Sequence, residues 1–329
     1  MNKLLVIGSN SFSGANFIDM ALTKGYEVFG VSRSQQTNKV MLPHLKNKNN
    51  SKFRFNQICL NRDFEKLKSL ILEEKFPYIV NFAAQSMVGQ SWNIPEDWMN
   101  TNVVAISKLA NFLRTQRTLK KYIHVTTPEV YGSTNGWVKE NHNYNPSTPY
   151  AVSRAASDMI FRIYSKEFSL PTVFTRAANV FGPCQQLYRI IPVSIYNILT
   201  KNKIKLDGGG LSTRSFIYMD DVSEATLILL NHGSSGETYH ISTSRIISIR
   251  NLVEIICDEL SVEFDKFVEL GDERVGKDNT YQLDSSKIRK ELNWEDKTEL
   301  EEGIRQTIRW MKKNLASLKN IERKYIHKT

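Results

Sequence analysis

The sequence has little cysteine and no long apolar run. Its 329 residues include three cysteines, Cys59, Cys184 and Cys257, whose odd number and wide spacing fit neither a disulfide framework nor a zinc site. No apolar run approaches the roughly 18 residues that a membrane span requires, and the opening MNKLLVIG lacks a signal-peptide pattern. We therefore expect buried, reduced thiols, no metal, no membrane partner and a cytoplasmic protein.

The sequence also lacks an acidic excess, since its formal net charge is +10. From Lys312 onward six cationic residues oppose one acidic residue, which defines a basic C-terminal tail from about residue 312. The remaining excess is dispersed, so we expect a solvated tail and no nucleic-acid partner. A modest positive field would favour a dianionic nucleotide.

Short apolar runs alternate with helical patterns through the first half of the chain. This alternation predicts an α/β fold with a doubly wound parallel sheet of the Rossmann type. After about residue 185, Pro and Gly break the sequence into shorter elements. We predict a nucleotide-binding domain over residues 1–184, to which a later strand and helix return, and a smaller C-terminal substrate-binding lobe over 185–329. Predicted strands cover residues 3–8, 26–31, 53–58 and 78–82, and predicted helices cover 15–24, 63–74 and about 102–116.

A glycine-containing turn follows the first predicted strand. Gly8 and Gly14 bracket it, Ser11 occupies the middle glycine position, and Phe12 and Ser13 lead into the helix. Such a turn lets the backbone approach a pyrophosphate, which then lies at the helix N-terminus.

The second predicted strand ends in Ser32 and Arg33, where an NAD site usually carries a carboxylate for the ribose hydroxyls. A guanidinium and a hydroxyl suit a 2′-phosphate better, so NADP is slightly favoured over NAD.

Two polar motifs lie where a strand ends and a helix begins. Residues 122–132 read YIHVTTPEVYG, a β-branched strand that stops at Pro128. Residues 145–154 read NPSTPYAVSR and open a helix with Thr148 as cap and Pro149 as first residue. If the strand belongs to a parallel sheet, both motifs meet at its ligand-binding carboxyl edge.

Glu129 and Tyr150 are the reactive side chains of these motifs. Arg154 follows Tyr150 by four positions, which puts the two Cβ atoms roughly 5–6 Å apart on one helix face. A cation there lowers the cost of forming the phenolate, whose unperturbed pKa is about 10. The pattern indicates proton removal from a substrate hydroxyl.

Arginines in the second half of the chain are candidates for binding a diphosphate, because fork-shaped guanidiniums suit phosphate oxygens. Single surface arginines are common, so each alone is weak support. The candidates are Arg176, Arg189, Arg214 and Arg274.

Together these motifs resemble the extended short-chain dehydrogenase/reductase enzymes that act on nucleotide sugars, and most closely the NDP-sugar 4,6-dehydratases. The similarity runs from about residue 3 to 310, and the AAQSMV and Ser-Arg-Ser stretches are similar to the GDP-mannose branch. The matching motifs are NFAAQSMVGQSW at 81–92, TNVVA at 101–105, TTPEVYG at 126–132, STPYAVSRAASD at 147–158, TRAANVFGP at 175–183, RSFIYMDDV at 214–222 and YQLDSSKIRKELNW at 281–294.

The resemblance implies an internal hydride transfer from C4 to C6 of the sugar through tightly bound NAD(P). Tyr150 would take the proton of the 4-hydroxyl, and Glu129 would remove the C5 proton that the 4-ketone acidifies. Loss of water from C6 would give a 4-keto-6-deoxy sugar nucleotide.

The resemblance also assigns binding residues. Thr127 would bind the 4-hydroxyl, Arg154 the nicotinamide ribose, and Ser86 the sugar. Phe82, Ala83 and Ala84 would line the cofactor, and Asn179, Arg189, Arg214 and Arg274 would hold the diphosphate.

Three residues depart from the family pattern. Pro128 replaces an aspartate that protonates the leaving hydroxyl, so either Glu129 returns its own proton or the reaction is a different one. Arg154 replaces a lysine and cannot relay a proton, because a guanidinium stays charged. Cys59 replaces an aspartate near the adenine.

Several alternatives follow from the same residues. A 4-epimerase needs no base at C5, so Glu129 argues against it, whereas an NDP-hexuronate decarboxylase would need an extra arginine for its substrate. A cofactor- or nucleotide-sugar-binding protein that has lost catalysis is the alternative of another class. The resemblance also implies a homodimer through the helices that begin near Asn102 and Tyr150.

Overall fold

The computed structural model describes residues 2–36, 38–134, 136–271 and 282–328. The helices in this part of the chain are α1 (Phe12–Thr23), α2 (Phe64–Glu74), α3 (Pro95–Met99), α4 (Ile106–Leu113), α5 (Pro149–Phe168), α6 (Ile190–Leu199), α7 (Met219–His232), α8 (Ile249–Glu259), α9 (Phe264–Phe267), α10 (Ser286–Leu292) and α11 (Leu300–Leu318). The strands are β1 (Lys3–Ile7), β2 (Glu27–Ser32), β3 (Phe53–Gln57), β4 (Tyr78–Asn81), β5 (Lys121–Val125), β6 (Trp137–Val138), β7 (Thr172–Ala177), β8 (Asn179–Phe181), β9 (Ile204–Asp207), β10 (Thr213–Arg214), β11 (Phe216–Tyr218), β12 (Thr238–Ile241), β13 (Ile247–Ser248), β14 (Val268–Gly271) and β15 (Gln282–Leu283).

Seven strands form one parallel sheet in the order β12-β7-β5-β4-β1-β2-β3. Leu4, Leu5 and Val6 of β1 are fully buried, and alternate residues of a strand face opposite sides of the sheet. Such a strand needs cover on both faces. One core packs α1 and α7 on one face, and a second packs α2, α4 and α5 on the other. The predicted doubly wound, Rossmann-type fold is confirmed.

The direction of winding reverses next to β1. Strands β2 and β3 extend the sheet on one side of β1, whereas β4, β5 and β7 extend it on the other. Open α/β sheets bind ligands at such a reversal, in the crevice outside the carboxyl ends of the strands. The residues that follow β1, β2, β4 and β5 therefore define the place to look for a site.

The later part of the chain builds a third core from α6, α8 and α11. Three small strand pairs accompany it, β8 with β11, β9 with β14 and β10 with β13. Strand β12 and helix α7 belong instead to the large sheet and its cover. The division of the chain at residue 184 stays a prediction.

The last described residues are partly solvated and partly packed. Helix α11 includes Lys312 and Lys313, and residues 320–328 follow it without regular secondary structure. The cationic side chains from Lys312 onward are exposed, as expected of a solvated tail. Tyr325 and His327, however, contact Gln85 and Asp97, which charge alone did not predict.

The three cysteines are buried free thiols, as predicted. Among the described helices, none has both the length and the apolar character needed to cross a membrane.

Candidate active site

Tyr150 lies in the first turn of α5, and the local sequence explains why the helix begins there. The Thr148 hydroxyl accepts a hydrogen bond from the backbone N–H of Ala151 at 3.1 Å, which caps the helix. Pro149 occupies the first helical position, where no N–H is required. The predicted cap and first residue are confirmed, and Tyr150 is held almost completely buried.

Thr127 and Glu129 lie in the turn that follows β5. Pro128 begins a 3-10 turn over Pro128–Tyr131, and the Thr127 hydroxyl accepts a hydrogen bond from the Glu129 N–H at 3.4 Å. Thr127 also hydrogen-bonds the Tyr150 side chain, and the Glu129 charge acts on the same phenol. The structure therefore brings together Thr127, Glu129 and Tyr150, although their catalytic roles stay predictions.

The electrostatic environment of Tyr150 favours its neutral form. Burial raises the pKa of the phenol most, and the neighbouring Glu129 carboxylate raises it further. Arg154, the Thr127 hydrogen bond and Arg189 each lower the pKa, but their sum is smaller. The predicted lowering of the Tyr150 pKa by Arg154 is confirmed, but the sequence did not predict the larger, opposing effect of burial.

Arg154 is buried one helical turn beyond Tyr150. Its guanidinium donates to the carbonyl oxygen of Val125, the last residue of β5. Its Nε atom and the hydroxyl of Thr126 are both buried without a hydrogen-bond partner in the described part of the protein. Buried polar atoms are normally paired, so these two donors fit a site for a polar ligand.

The glycine turn after β1 is closely packed. Gly8 has φ +87°, and a Cβ atom on it would lie 2.7 Å from the Ala83 backbone nitrogen. A Cβ on Gly14 would lie 2.3 Å from the Gly8 carbonyl oxygen. The Ser11 hydroxyl donates to that oxygen at 2.7 Å and accepts from the Gly14 N–H at 3.0 Å. Serine is therefore accommodated at the middle position because it stabilises the turn.

The first turn of α1 suits an anion. Phe12 and Ser13 begin this helix, whose N-terminus carries partial positive charge and whose first turn has no acidic residue. Ser32 ends β2 beside it, and Arg33 follows. The Arg33 guanidinium donates to the Lys328 carbonyl oxygen at 2.6 Å.

The residues after β4 form the other wall of the crevice. Phe82 donates its N–H to the Ile7 carbonyl at 2.8 Å, so Phe82, Ala83 and Ala84 run beside the glycine turn. Ser86 follows as an exposed residue. The turn, Arg154 and these residues fit a dinucleotide lying along the crevice.

The predicted diphosphate-binding residues come from separate elements. Arg189 caps α6, and its charge acts on Tyr150, so it faces the site. Asn179 begins β8, which pairs with β11 just beyond Arg214. Arg274 lies outside the described residues.

A family model and a known protein both match nearly the whole chain. The sequence model of the GDP-mannose 4,6-dehydratase family matches residues 5–307. The chain belongs to this dehydratase family. The human dTDP-D-glucose 4,6-dehydratase is 32% identical over 98% of this chain and 93% of its own length. The predicted resemblance to NDP-sugar 4,6-dehydratases is thus confirmed.

Solved structures agree with the family assignment. DesIV of Streptomyces venezuelae, a dTDP-glucose 4,6-dehydratase solved with NAD bound, superposes with a TM-score of 0.87 and 29% identity over 95% of this chain and 98% of DesIV. A UDP-glucose 4-epimerase of Thermotoga maritima reaches a TM-score of 0.86 at 25% identity, over 95% of this chain and 99% of the epimerase.

Asn102 supports the backbone of this site, and the sequence did not predict that role. Asn102 donates to the Gln85 carbonyl and accepts from the Gln85 N–H, each at 2.9 Å, and also donates to the Ser153 hydroxyl. It therefore fixes the backbone next to Ser86 against α5. Both motifs, AAQS and TNVVA, stood out in the sequence, but nothing in their spacing showed that they pair.

Arg176 does not have the diphosphate-binding role considered for it in the sequence. Its side chain is fully buried and donates to the Asp158 carboxylate at 2.8 Å. It also stacks on Tyr131, with 4.4 Å between the guanidinium carbon and the ring centre. Arg176 is therefore an internal ion-pair partner, not a ligand for a diphosphate.

Proposed function

We propose that this chain is an NAD(P)-dependent NDP-sugar 4,6-dehydratase, a carbon–oxygen lyase that makes a 4-keto-6-deoxy sugar nucleotide. The observation that carries the proposal is the grouping of Thr127, Glu129 and Tyr150 at the sheet edge that also carries the glycine turn. Family membership and relatives named dTDP-glucose 4,6-dehydratases support the same reaction.

The cofactor supplies a reversible hydride acceptor at this edge of the sheet. Tyr150 removes the proton of the sugar 4-hydroxyl, with the Thr127 hydroxyl holding the reacting oxygen. Arg154 stays charged and favours the phenolate electrostatically. The residues that would hold the cofactor are Gly8, Ser11, Phe12, Ser13, Gly14, Ser32, Arg33, Phe82, Ala83, Ala84, Tyr150 and Arg154.

Glu129 performs the step that separates a dehydratase from a simple epimerase. Once the 4-ketone has acidified the C5 hydrogen, the Glu129 carboxylate removes it. Pro128 has no proton to give, so the protonated Glu129 returns its proton to the departing C6 hydroxyl. Water leaves with the proton that Glu129 took, and Glu129 ends the step as a carboxylate.

The diphosphate of the substrate is assigned to Asn179, Arg189, Arg214 and Arg274, and its sugar to Ser86 and Glu129. Of these, Arg189 has the strongest support because its charge acts on Tyr150. Arg33 favours NADP slightly, whereas DesIV and the Bacillus anthracis enzyme were solved with NAD.

A product assay tests this function. The purified protein is incubated with dTDP-glucose, GDP-mannose, UDP-glucose, UDP-N-acetylglucosamine, CDP-glucose and UDP-glucuronate. The masses of the products are then measured by mass spectrometry. Loss of one water from any substrate, abolished in Glu129→Gln, is the expected result. Loss of carbon dioxide identifies a decarboxylase, an isomer of unchanged mass an epimerase, and bound cofactor without turnover a binding protein.

We also propose a homodimer that acts in the cytoplasm, where its three buried thiols stay reduced. Helix α5 exposes Val152, Met159 and Ile163, and Val104 is exposed beside the start of α4. These apolar side chains support an interface formed by α4 and α5 with a second copy of the chain.

A further inference from the structure

Residues 320–324 turn and bend after α11, and residues 325–328 follow without regular secondary structure. Tyr325 and His327 are half-buried, whereas Lys324, Ile326 and Lys328 are exposed. This alternation shows that one side of the segment faces the protein.

The segment contacts the region of α6. Arg323 lies over the ring of Tyr196, 5.6 Å from its centre, and the Tyr325 ring meets Tyr188 edge-on at 5.9 Å. Tyr188 comes just before α6, and Tyr196 lies within that helix.

On the other side, His327 reaches the large sheet domain. Its ring stacks on Trp98 at 5.1 Å with the planes only 9° apart, and its Nε2 lies 2.5 Å from an Asp97 carboxylate oxygen. The segment therefore contacts both the region of α6 and helix α3, which lies after β4 of the large sheet.

The end of the segment uses donors of the nucleotide crevice. The Lys328 carbonyl oxygen accepts from the Arg33 guanidinium and from the Gln85 side-chain amide, each at 2.6 Å. The Tyr325 hydroxyl donates to the other end of the same Gln85 amide at 3.5 Å. Gln85 is only 1% exposed, so this amide is buried with its polar atoms turned to the segment.

The sheet order shows where that carbonyl lies. Arg33 follows β2 and Gln85 follows β4, and β1 with its Gly8 turn lies between those two strands. A carbonyl bonded to both side chains must lie above the Gly8 turn, which is the path of a dinucleotide pyrophosphate in this fold. Burial raises the pKa of Tyr325 most, and the charges of Arg33 and Arg189 oppose that shift, so both guanidiniums lie near its hydroxyl.

We infer that residues 322–328 are an intramolecular competitor of the dinucleotide, docked in its crevice through Tyr325, His327 and the Lys328 carbonyl. The inference rests on the cofactor site of the proposed function. Cofactor binding then requires release of the segment, so the apparent affinity is the intrinsic affinity multiplied by the fraction of time that the segment is undocked.

Calorimetric titration with NAD⁺ and NADP⁺ tests the competition. The variants are a chain that ends at Lys319 and the double variant Tyr325→Ala/His327→Ala, and Lys324→Ala is the matched control because that side chain is exposed. The double variant loses two hydrogen bonds and two ring contacts, which predicts about tenfold tighter cofactor binding. The shortened chain also loses the two hydrogen bonds of the Lys328 carbonyl and should bind at least as tightly, whereas the control should be unchanged. Weaker binding would mean a lid that holds the cofactor and would overturn the inference, as would equal affinities.

Hydrogen exchange of the full-length protein provides a second test. Cofactor should increase the exchange of backbone amides in residues 320–328, because it displaces them, whereas increased protection would contradict the competition. If no variant binds either cofactor while all of them show cooperative thermal unfolding, the proposed function fails, and this inference with it. Equal cofactor affinity with and without the segment overturns this inference but leaves the proposed function standing.

Discussion

Glu129 and Tyr150 influence each other through charge as well as through chemistry. Glu129 disfavours ionisation of the buried phenol, and Arg154 and Arg189 partly offset this effect. A phenolate and a carboxylate side by side are therefore unfavourable in the resting site. The arrangement favours a reaction order in which Tyr150 and Glu129 act as bases in separate steps.

Glu129→Gln should separate those two steps. The variant keeps Tyr150 and its neighbours, so oxidation at C4 should continue, while removal of the C5 proton should slow by about 10²–10⁴-fold. Deuterium uptake at C5 from heavy water measures the second step alone. Uptake at the wild-type rate would show that another group is the base.

The pH dependence of C4 oxidation should follow from the raised pKa of Tyr150. The phenol must be ionised to accept a proton, so the rate should rise with pH through the neutral and alkaline range. In Glu129→Gln the rising limb should move to lower pH, because the neighbouring negative charge is gone. A limb at the same pH in both proteins would contradict the coupling, and Tyr150→Phe should show no such limb.

At the scale of elements, an internal ion pair ties the two halves of the site together. Asp158 lies on α5, two turns beyond Tyr150, and Arg176 lies on β7. Arg176 stacks on Tyr131, the last residue of the turn that carries Glu129, and the Tyr131 hydroxyl lies 2.9 Å from His240 Nε2. The helix of one catalytic candidate and the turn of the other thus share one buried network.

Asp158→Asn should destabilise the protein strongly. Both partners are fully buried at 2.8 Å, and removal of one leaves the Arg176 charge uncompensated, which costs about 3–5 kcal/mol. Denaturant unfolding measures the change in the free energy of unfolding. Glu302→Gln is the control, since its pairs with Arg305 and Arg309 are solvent-exposed and its loss should change the free energy of unfolding little. Equal losses in the two variants would contradict this account.

The sequence predicted those features that depend on neighbours along the chain. Thr148 and Pro149 predicted the start of α5, because a threonine cap and a proline at the first helical position act locally. Gly8 predicted a turn, because its backbone conformation needs glycine. The partners of Arg176 and Asn102 were not predictable, since they depend on which strands and helices become neighbours in the fold. Charge alone likewise gave no sign that residues 320–328 dock.

At the scale of the whole molecule, three buried histidines set the response to acid. Burial lowers the pKa of His44 to about 4, and of His124 and His240 to about 3. Unfolding exposes them to water, where the pKa is about 6.5, so the unfolded chain binds more protons below that pH. Their contribution to stability is complete above about pH 6.5 and decreases as the pH falls toward 3–4.

Thermal unfolding between neutral pH and pH 5 measures this effect. Each histidine should remove roughly 2 kcal/mol from the free energy of unfolding at about pH 5. His124→Asn should therefore show a smaller loss between the two pH values than the wild type, whereas the exposed His232→Asn should match the wild type. Comparison of slopes also separates the histidines from buried carboxyl groups such as Asp221, whose pKa is raised by burial. Equal slopes in all three proteins would exclude His124 as a contributor.

Helix α5 has two functional sides. Tyr150 and Arg154 face the site, and at 100° per residue Val152, Met159 and Ile163 lie within about 40° of one another on the opposite side. Those three side chains are 43%, 46% and 58% exposed, an apolar stripe that a second copy could cover. A two-fold dimer would pair the stripe with itself and would hold both helices of the site rigid.

Ile163→Glu should therefore separate the dimer into monomers. In a two-fold interface the substitution places two carboxylates close to the symmetry axis in an apolar contact, where each costs several kcal/mol unless it is paired. Light scattering coupled to size-exclusion chromatography gives the mass of each variant. Leu72→Glu is the control, because Leu72 is 53% exposed on α2, away from α5, and should leave the dimer intact. A wild-type monomer, or a dimer that tolerates Ile163→Glu, would show that the stripe on α5 is not the interface.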